Sequence, residues 1–400
     1  MINRISSTMM FNQSVSLMLG KQAKLSQLEL QLATGKKLVS AKDDPVNAGT
    51  AVNLDRSVAE LARFELNGNT VQNRLGLQEN ALAQAGEMMS RIVELTVQAN
   101  NPALSGEDKK TIAAELKSIH AGLLSLANST DGNGRFLFGG ASDDSSPFSI
   151  ANGTVTYTGD QTQKQVEVAP QTFVADALPG SEIFMRIRTG DGIVDGAAAA
   201  GNAGTGVLTD FSRDANGAWN GESYSVRFTA ADTYEVLDSN GDPVQTGTFK
   251  ASEDISFQGL RIHVEGQPAA GDTFTIAAAG TRDIFSTITG LVSALEMDLG
   301  TPAAVAAQQN ALQSGIRDIA RASEKMIDSR AAGGAQLMAL DNAAALREAN
   351  GVTLKTTLSN MRDLDYADAI SQYQLESAAL QAAQTIFSQM QSMSLFNMIR

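Results

Sequence analysis

The last forty-nine residues of the chain, 352–400, contain neither glycine nor proline, so nothing in this stretch interrupts an α-helix. Apolar side chains recur along it at alternating steps of four and three residues, which places them on one broad face of a helix. The predicted face comprises Tyr373, Ala379, Leu380, Ala383, Ile386, Phe387, Met390 and Met393. A helix with such a face needs a partner that covers it.

The N-terminal segment carries a matching pattern. Phe11, Met18, Leu25 and Leu32 repeat at every seventh residue, and this heptad spacing suits contact between two helices. Periodicity alone fits ordinary core packing equally well. Chain ends usually fray in solution, however, so large apolar faces at both ends imply that other molecules cover them. We therefore predict that the two faces form an assembly interface.

Charge separates the middle of the chain from its ends. Residues 1–130 carry 13 basic and 12 acidic side chains, residues 131–282 carry 9 and 20, and residues 283–400 carry 8 and 12. Nucleic acids and anionic membrane surfaces bind through lysine and arginine, so the acidic middle would repel both. The sequence therefore predicts no nucleic-acid partner.

The chain contains no cysteine, which excludes disulfide bonds and thiol chemistry and suits a protein that crosses compartments unfolded. Polar residues interrupt the apolar stretch Thr8–Leu19, so it lacks the continuous core of a signal peptide. No apolar run approaches the roughly 18 residues that span a bilayer. We predict no membrane insertion, and an extracellular protein of this kind would leave the cell without a cleaved signal peptide.

Helical signals dominate both ends of the chain. Asp44 can cap a helix whose first residue is Pro45, and that helix could continue to about Asn100, roughly 80 Å at 1.5 Å per residue. A further helix begins at Ser105 with Asp108 as an approximate capping box. Helices resume near Asp283, and Asp365 is the predicted cap of the last one.

Short alternating segments separated by Gly, Asp and Pro fill the middle and indicate strands and turns. The predicted strands are Thr154–Thr158, Ser223–Thr229 and Thr273–Ile276, and Tyr234–Phe249 is predicted as a hairpin that turns at Asn240-Gly241. The stretch Gly190–Gly206, rich in Gly and Ala, is predicted as a flexible loop. The order of elements is thus helix, strand, helix, which indicates an α+β fold.

The sequence offers almost no candidate for chemistry. The only histidines, His120 and His263, are assigned to different domains, so no histidine-pair metal site or Ser/His/Asp arrangement is easily built. Gly201–Gly206 lacks the order of a nucleotide-binding loop. The alternating oxygen ligands from Asp238 to Asp242 lack the Glu of a calcium loop and fit a hairpin turn better. We predict no catalytic residue, cofactor or metal.

Two motifs at mirrored positions resemble the flagellin superfamily. Ala33–Pro45 is similar to the junction between the first two N-terminal helices of flagellins, and Asp363–Asp368 is similar to the junction before their C-terminal helix. Arg330–Leu340 resembles the C-terminal part of the flagellin rod. Its paired glycines, Gly333-Gly334, depart from the flagellin pattern and weaken the helix locally.

Within that superfamily, the middle of the chain resembles the hook-associated proteins. In particular, it resembles the third hook-associated protein family, whose members lie at the junction between hook and filament. The similarity lies in Asn128–Gly140, which includes Arg135-Phe-Leu-Phe138, together with Ser146–Phe148 and Val264–Ile276. The motifs together span nearly the whole chain.

This resemblance implies an elongated rod of long antiparallel helices from both chain ends, with a β-rich domain inserted in the middle. The implied domains are a terminal helical assembly domain (1–35 with 366–400), a helical rod domain (36–138 with 283–365) and an outward β-rich domain (139–282).

The resemblance also implies a structural function in the bacterial flagellum. Copies would self-assemble in a ring or helical layer on the first hook-associated protein of the hook and template the addition of flagellin. Export would follow the flagellar type III route, with a cytoplasmic chaperone covering the C-terminal helix.

Two alternatives stay open. One is a flagellin, a filament subunit with the same terminal chemistry, although Phe136–Gly140 and Pro268–Ile276 argue against it. The other is a ligand-binding or enzymatic module in the β-rich domain, which no nucleophile–base pair or metal cluster in the sequence supports.

Overall fold

The computed structural model describes residues 7–151, 153–214, 217 and 219–398, with side chains described from residue 8 to residue 391 of these ranges. Its α-helices are α1 (Ser7–Thr34), α2 (Pro45–Ala99), α3 (Gly106–Ala127), α4 (Ile284–Leu295), α5 (Pro302–Arg362) and α6 (Tyr366–Met398). The strands are β1 (Phe148–Ala151), β2 (Thr154–Tyr157), β3 (Gln165–Ala169), β4 (Thr172–Ala175), β5 (Ile187–Arg188), β6 (Val194–Ala198), β7 (Val207–Arg213), β8 (Tyr224–Ala230), β9 (Thr233–Leu237), β10 (Pro243–Thr248), β11 (Ile255–Phe257), β12 (Leu260–Glu265), β13 (Thr273–Ala278) and β14 (Thr281–Arg282). A π-helical turn covers Ser181–Met185. The predicted α+β class is confirmed.

Contacts group the chain into two compact units. The terminal unit comprises the residues up to 66 and from 344 onward, and the central unit comprises residues 67–343. Helices α2 and α5 contribute residues to both units. The finer division into three domains stays a prediction.

Local signals account for several helix boundaries. Ser105 accepts a hydrogen bond from the Asp108 N–H at 3.2 Å, and the Asp108 carboxylate accepts one from the Ser105 N–H at 3.1 Å, so the predicted capping box is confirmed. Asp283 caps α4 by accepting from the Ser286 N–H at 2.7 Å. Helix α5 continues through Gly333 and Gly334, whose locally weak propensity is outweighed by the 61-residue helix around them.

Aromatic rings join the helices of the central unit to the segment before β1. Phe138 and Phe184 meet edge to face with centroids 5.3 Å apart, and Phe148 lies 5.6 Å from Phe184 and 5.8 Å from Phe285 of α4. All four side chains are buried. Phe138 and Phe148 therefore anchor the Asn128–Phe148 region to the core formed by α2, α3, α4 and α5.

The β-rich part of the central unit contains a five-stranded sheet, in the order β10-β9-β8-β13-β6, and a three-stranded sheet, in the order β11-β12-β7. All pairings in both sheets are antiparallel. Their inward side chains, such as Phe228, Ile262 and Phe274, share one core. Gln245 on the edge strand β10 donates to the Ser256 carbonyl on β11 at 3.0 Å, which covers part of both edges.

The predicted strands match β2, β8 and β13, and β9 pairs with β10 as the predicted hairpin. At its turn, one Asp238 carboxylate oxygen accepts from the N–H groups of Asn240 and Asp242, each at 2.9 Å. This is the geometry of a hairpin turn, as the sequence indicated.

The prediction of a flexible loop over Gly190–Gly206 is wrong. Strand β6 lies inside it and pairs with β13. A Cβ on Gly196 would stand 2.7 Å from a Phe211 ring carbon and 2.8 Å from Leu208, so glycine here permits close approach of β7. The small residues reflect tight packing of a strand and not chain flexibility.

A buried arginine connects α2 to three separate segments. The Arg74 guanidinium lies 3.2 Å from Asp131, 3.3 Å from Asp143 and 3.4 Å from Asp176. Exposed Arg135 adds a contact of 3.0 Å to Asp143. This cluster fixes the chain before and after the β3–β4 hairpin against α2.

Two amides on the same helix hold the backbone of that region. Asn67 donates to the Glu167 carbonyl at 2.9 Å. Gln78 donates to the Leu178 carbonyl at 2.9 Å and accepts from the Leu178 N–H at 3.0 Å. Because Asn67, Arg74 and Gln78 are spaced by seven and four residues, they lie on one face of α2.

We expect Gly315→Ala in α5 to destabilise the central unit by about 1–3 kcal/mol, because it overfills a packed site. A Cβ at Gly315 would lie 2.7 Å from Leu291 Cγ and closer still to Cδ2. The matched control Gly333→Ala has no atom within 4 Å and should stabilise the helix by roughly 0.5–1 kcal/mol. Thermal unfolding measures both, and equal effects would contradict the packing argument.

We expect Arg74→Met to cost about 3–5 kcal/mol at neutral pH, because it leaves buried carboxylates without their cation. Burial raises the pKa of Asp176, while Arg74 opposes that rise. Without Arg74, carboxyls whose pKa is higher in the folded than in the unfolded chain bind protons preferentially in the folded state. Part of the lost stability should therefore return as the pH falls below neutral and the Asp176 carboxyl takes up a proton.

Arg91→Met is the matched control for Arg74→Met, because Arg91 lies on the same helix but makes exposed ion pairs with Glu94 and Glu115. We expect little loss of stability and no recovery at lower pH. Denaturant unfolding at several pH values makes the comparison. A pH-independent loss in Arg74→Met would show that the carboxylates are not the cause.

Candidate assembly interface

Helices α1 and α6 pack against each other as an antiparallel pair. The rings of Phe11 and Phe387 lie 5.3 Å apart, and Lys21 Nζ lies 2.8 Å from a Glu376 carboxylate oxygen. Farther along, the Tyr373 hydroxyl donates to Glu29 at 3.0 Å, and this hydrogen bond raises the pKa of Tyr373. Residue numbers rise along α1 as they fall along α6, which defines the antiparallel direction.

Most of the predicted interface residues are half-buried in the single chain. This group contains Met18, Leu25, Leu32, Tyr373, Leu380, Ala383, Phe387 and Met390. Phe11 and Ile386 remain exposed, at 43% and 58%. The side chain of Met393 falls outside the described residues. That these residues contact other molecules stays a prediction.

The sequence reading missed other apolar residues of the same helices. Leu28 and Ala369 are fully buried, although neither was assigned to a stripe. Met9, Leu17 and Leu375 are exposed at 60% or more. Only a search for a second apolar face on each helix, after the strongest stripe is assigned, would have found the exposed ones.

Both helix junctions of the terminal unit meet in a short antiparallel bridge. The Leu364 N–H donates to the Gly35 carbonyl at 3.0 Å, and the Lys37 N–H donates to the Arg362 carbonyl at 2.8 Å. Lys36 is paired with Asp363 between them. Backbone hydrogen bonds thus join the loop between α1 and α2 directly to the loop between α5 and α6.

Carboxylates cap the helices that leave this bridge. Asp44 accepts from the N–H groups of Val46 at 3.2 Å and Asn47 at 3.0 Å, and the bond from Asn47 is the main reason that its pKa is lowered. Pro45 is the first residue of α2. Asp365 accepts from the N–H groups of Ala367 at 3.0 Å and Asp368 at 3.3 Å at the start of α6.

Groups suited to chemistry are sparse in the described part of the chain. Within it, no set of three or more His, Cys, Asp or Glu side chains could hold a metal ion. His120 packs edge to face on Phe285 at 5.5 Å, and burial lowers its pKa. The His263 Nδ1 atom is hydrogen-bonded to the Asp254 carboxylate at 2.7 Å. Among the described helices, none is long and apolar enough to cross a membrane.

The central unit contains a cavity of about 500 Å³ between β6, β7, α4 and α5. Its walls are mainly small residues, such as Ala197, Gly206 and Ala306. Arg282 at its edge is paired with Asp318 at 2.7 Å. Its described lining brings together no nucleophile with a base.

Comparison with known proteins agrees with this architecture. A family model described as the bacterial flagellin N-terminal helical region matches residues 5–143. A flagellar hook-associated protein 3 from Salmonella typhimurium is 27% identical over 397 residues, which cover 99% of this chain and 100% of the relative. Matches to flagellins cover less, for example 27% of this chain and 38% of a Listeria monocytogenes flagellin.

Two solved structures extend the comparison. The crystal structure of Xanthomonas campestris FlgL is 62% identical with a TM-score of 0.74, and the match covers 76% of this chain and 99% of that one. The flagellar junction protein FlgL from Legionella pneumophila is 26% identical with a TM-score of 0.69, over 78% of this chain and 100% of that one.

Long helices from both chain ends, a central β-rich region and these matches define a protein of the flagellin superfamily. Within the superfamily, the chain belongs to the flagellar hook-associated protein 3 (FlgL) family. The resemblance seen in the sequence motifs is confirmed.

We expect Gly35→Ala to destabilise the junction bridge. Gly35 has φ +66°, which costs an L-residue about 1–2 kcal/mol. An added Cβ would also lie 2.7 Å from the Tyr366 hydroxyl. The control Gly20→Ala, in α1 with no atom within 4 Å, should instead be mildly stabilising.

Hydrogen exchange at the Leu364 and Lys37 amides measures this effect, because both N–H groups donate within the bridge. Faster exchange in Gly35→Ala than in Gly20→Ala is the expected result. Unchanged protection in both variants would contradict it.

Proposed function

We propose that this chain is a structural component of the bacterial flagellum that forms a layer at the hook–filament junction through contacts between the terminal helices of neighbouring copies. The observation that carries the proposal is the exposure of large apolar side chains on α1 and α6, including Met9 at 65% and Leu17 at 60%. Burying each such side chain is worth roughly 1.5–3 kcal/mol. A neighbouring copy supplies the surface that covers them.

The layer would be a ring or a helical turn of copies placed on the first hook-associated protein of the hook. Its distal face would then template flagellin by geometric matching. Family membership supports this position, and so does the description of the Legionella pneumophila relative as a flagellar junction protein. The antiparallel bridge between the two helix junctions supports it further, because it holds α1 and α6 side by side so that both can contact a neighbouring copy.

Export would follow the flagellar type III route, without a cleaved signal peptide, to the extracellular flagellum. A cytoplasmic chaperone would cover α6, whose exposed Leu375 and Ile386 would otherwise associate prematurely. The absence of cysteine suits passage in an unfolded state.

The filament-subunit alternative is less favoured. The hook-associated relative matches 99% of this chain, whereas the flagellin match covers 27%. The function we propose is structural, as the names of the flagellar hook-associated relatives suggest.

An in-frame deletion tests the junction role. We expect intact hooks without filaments by electron microscopy and flagellin accumulating in the medium, because export continues while the template is missing. Filaments that still grow on those hooks would overturn the proposal.

We expect Phe387→Asp to fail to restore filaments in the deletion strain, because a charge in the α1–α6 contact beside Phe11 is costly to bury. Gln384→Asp, an exposed position on the same helix, is the control and should restore them. The central unit should keep its thermal transition in both variants. Filament growth with Phe387→Asp would show that this contact is dispensable.

A further inference from the structure

Helix α1 carries a second apolar stripe that its contact with α6 does not use. Leu19 and Leu30 are 61% and 51% exposed, and the small residues Ala23 and Ser26 between them are exposed too. At about 100° per residue, this outer stripe of α1 lies roughly 120° around the helix from the half-buried face of Met18 and Leu25. The side chains of α6 in the same copy leave this stripe exposed.

Helix α6 carries an equivalent stripe. Leu375 and Ile386 are 69% and 58% exposed, and Ala378 and Ala382 between them are exposed. This outer stripe of α6 lies roughly 135° from the face that contacts α1.

The two outer stripes match in order and length. Each consists of a large residue, two small residues and another large residue, and each spans twelve residues, that is, eleven steps from first to last. Eleven steps along a helix rise about 16 Å. Small residues at the centre let two helix backbones approach closely, and the large residues at the ends then seal the contact.

Charge selects which stripes pair. Helix α1 contains two lysines and one glutamate, and α6 contains one aspartate and one glutamate. Contact between α1 and α6 therefore joins opposite net charges, whereas α1 with α1 or α6 with α6 would join like charges. A contact between different surfaces also propagates from copy to copy, as a ring or helical layer requires.

We infer that the outer stripe of α1 in one copy packs against the outer stripe of α6 in the next copy. The inference rests on the proposed function and names the residues of its interface. Within one copy, the contacts Phe11–Phe387 and Lys21–Glu376 place Ala23 at about the height of residue 376. The next copy is therefore rotated about an axis along the helices and also shifted along it by about six residues, roughly 9 Å, which keeps α1 and α6 antiparallel. The stripes then align with Ala23 opposite Ala382 and Ser26 opposite Ala378, while Leu19 meets Ile386 and Leu30 meets Leu375.

The chain has no cysteine, so a disulfide between copies can form only between cysteines that are introduced at the proposed contact. We expect Ala23→Cys/Ala382→Cys to form reducible ladders of dimers and higher oligomers when flagella are oxidised, because opposed small residues allow the short Cα separation of a disulfide. The matched control is Lys24→Cys/Gln381→Cys, two exposed positions at the same height but outside both stripes. It should remain monomeric.

The crosslinking outcomes separate this inference from the proposed function. If the double cysteine variant restores filaments to the deletion strain but gives no ladder, the stripe pairing is wrong and the junction role stands. If the deletion strain grows filaments without any variant, the junction role itself fails.

A second substitution tests the pairing without oxidation. Ala23→Phe should leave the thermal unfolding of the isolated protein unchanged, because position 23 is exposed, and should abolish filament growth by blocking close approach. Gln381→Phe is the control and should retain filaments. Normal filaments with Ala23→Phe would overturn the inference.

Discussion

A pair of helices can cover only one face of each member, and the terminal unit is built around that limit. Contact between α1 and α6 half-buries one stripe on each helix and leaves a second stripe of large apolar side chains in solvent. Such a pair is poorly stabilised alone, because little buried surface offsets the entropy of ordering two long helices. Further contacts would therefore add to its stability, and the assembly proposed above would couple folding of these helices to contact with a neighbouring copy.

The central unit covers its apolar faces with its own helices and strands. Its helices enclose a phenylalanine cluster, and its two sheets enclose a second core. Arg74 and the amides Asn67 and Gln78 then fix the β3–β4 region to α2 through directional bonds. One part of the molecule thus has cores of its own, while the other leaves large apolar side chains exposed to solvent.

Sequence predicted the features that local chemistry controls. Asp44 before Pro45, the Ser105–Asp108 capping box and the Asn240-Gly241 turn are each specified by a few adjacent residues. It failed over Gly190–Gly206, because the need for glycine at position 196 arises from Phe211 and Leu208, which are distant along the chain. It also missed the Arg74 cluster, since the three aspartates that surround Arg74 come from three separate segments. The outer stripes escaped notice because each helix already had a stronger apolar period.

The bridge between Gly35–Lys37 and Arg362–Leu364 places the two interruptions of the helical chain side by side and bonds them together. If α1 tilts relative to α2, the loop that carries Gly35 pulls on the loop that carries Leu364, and α6 has to follow. The two loops therefore act as a single hinge, and α1 and α6 change their orientation together. A subunit that meets different neighbours above and below can adjust its angle at such a hinge without separating its own chain ends.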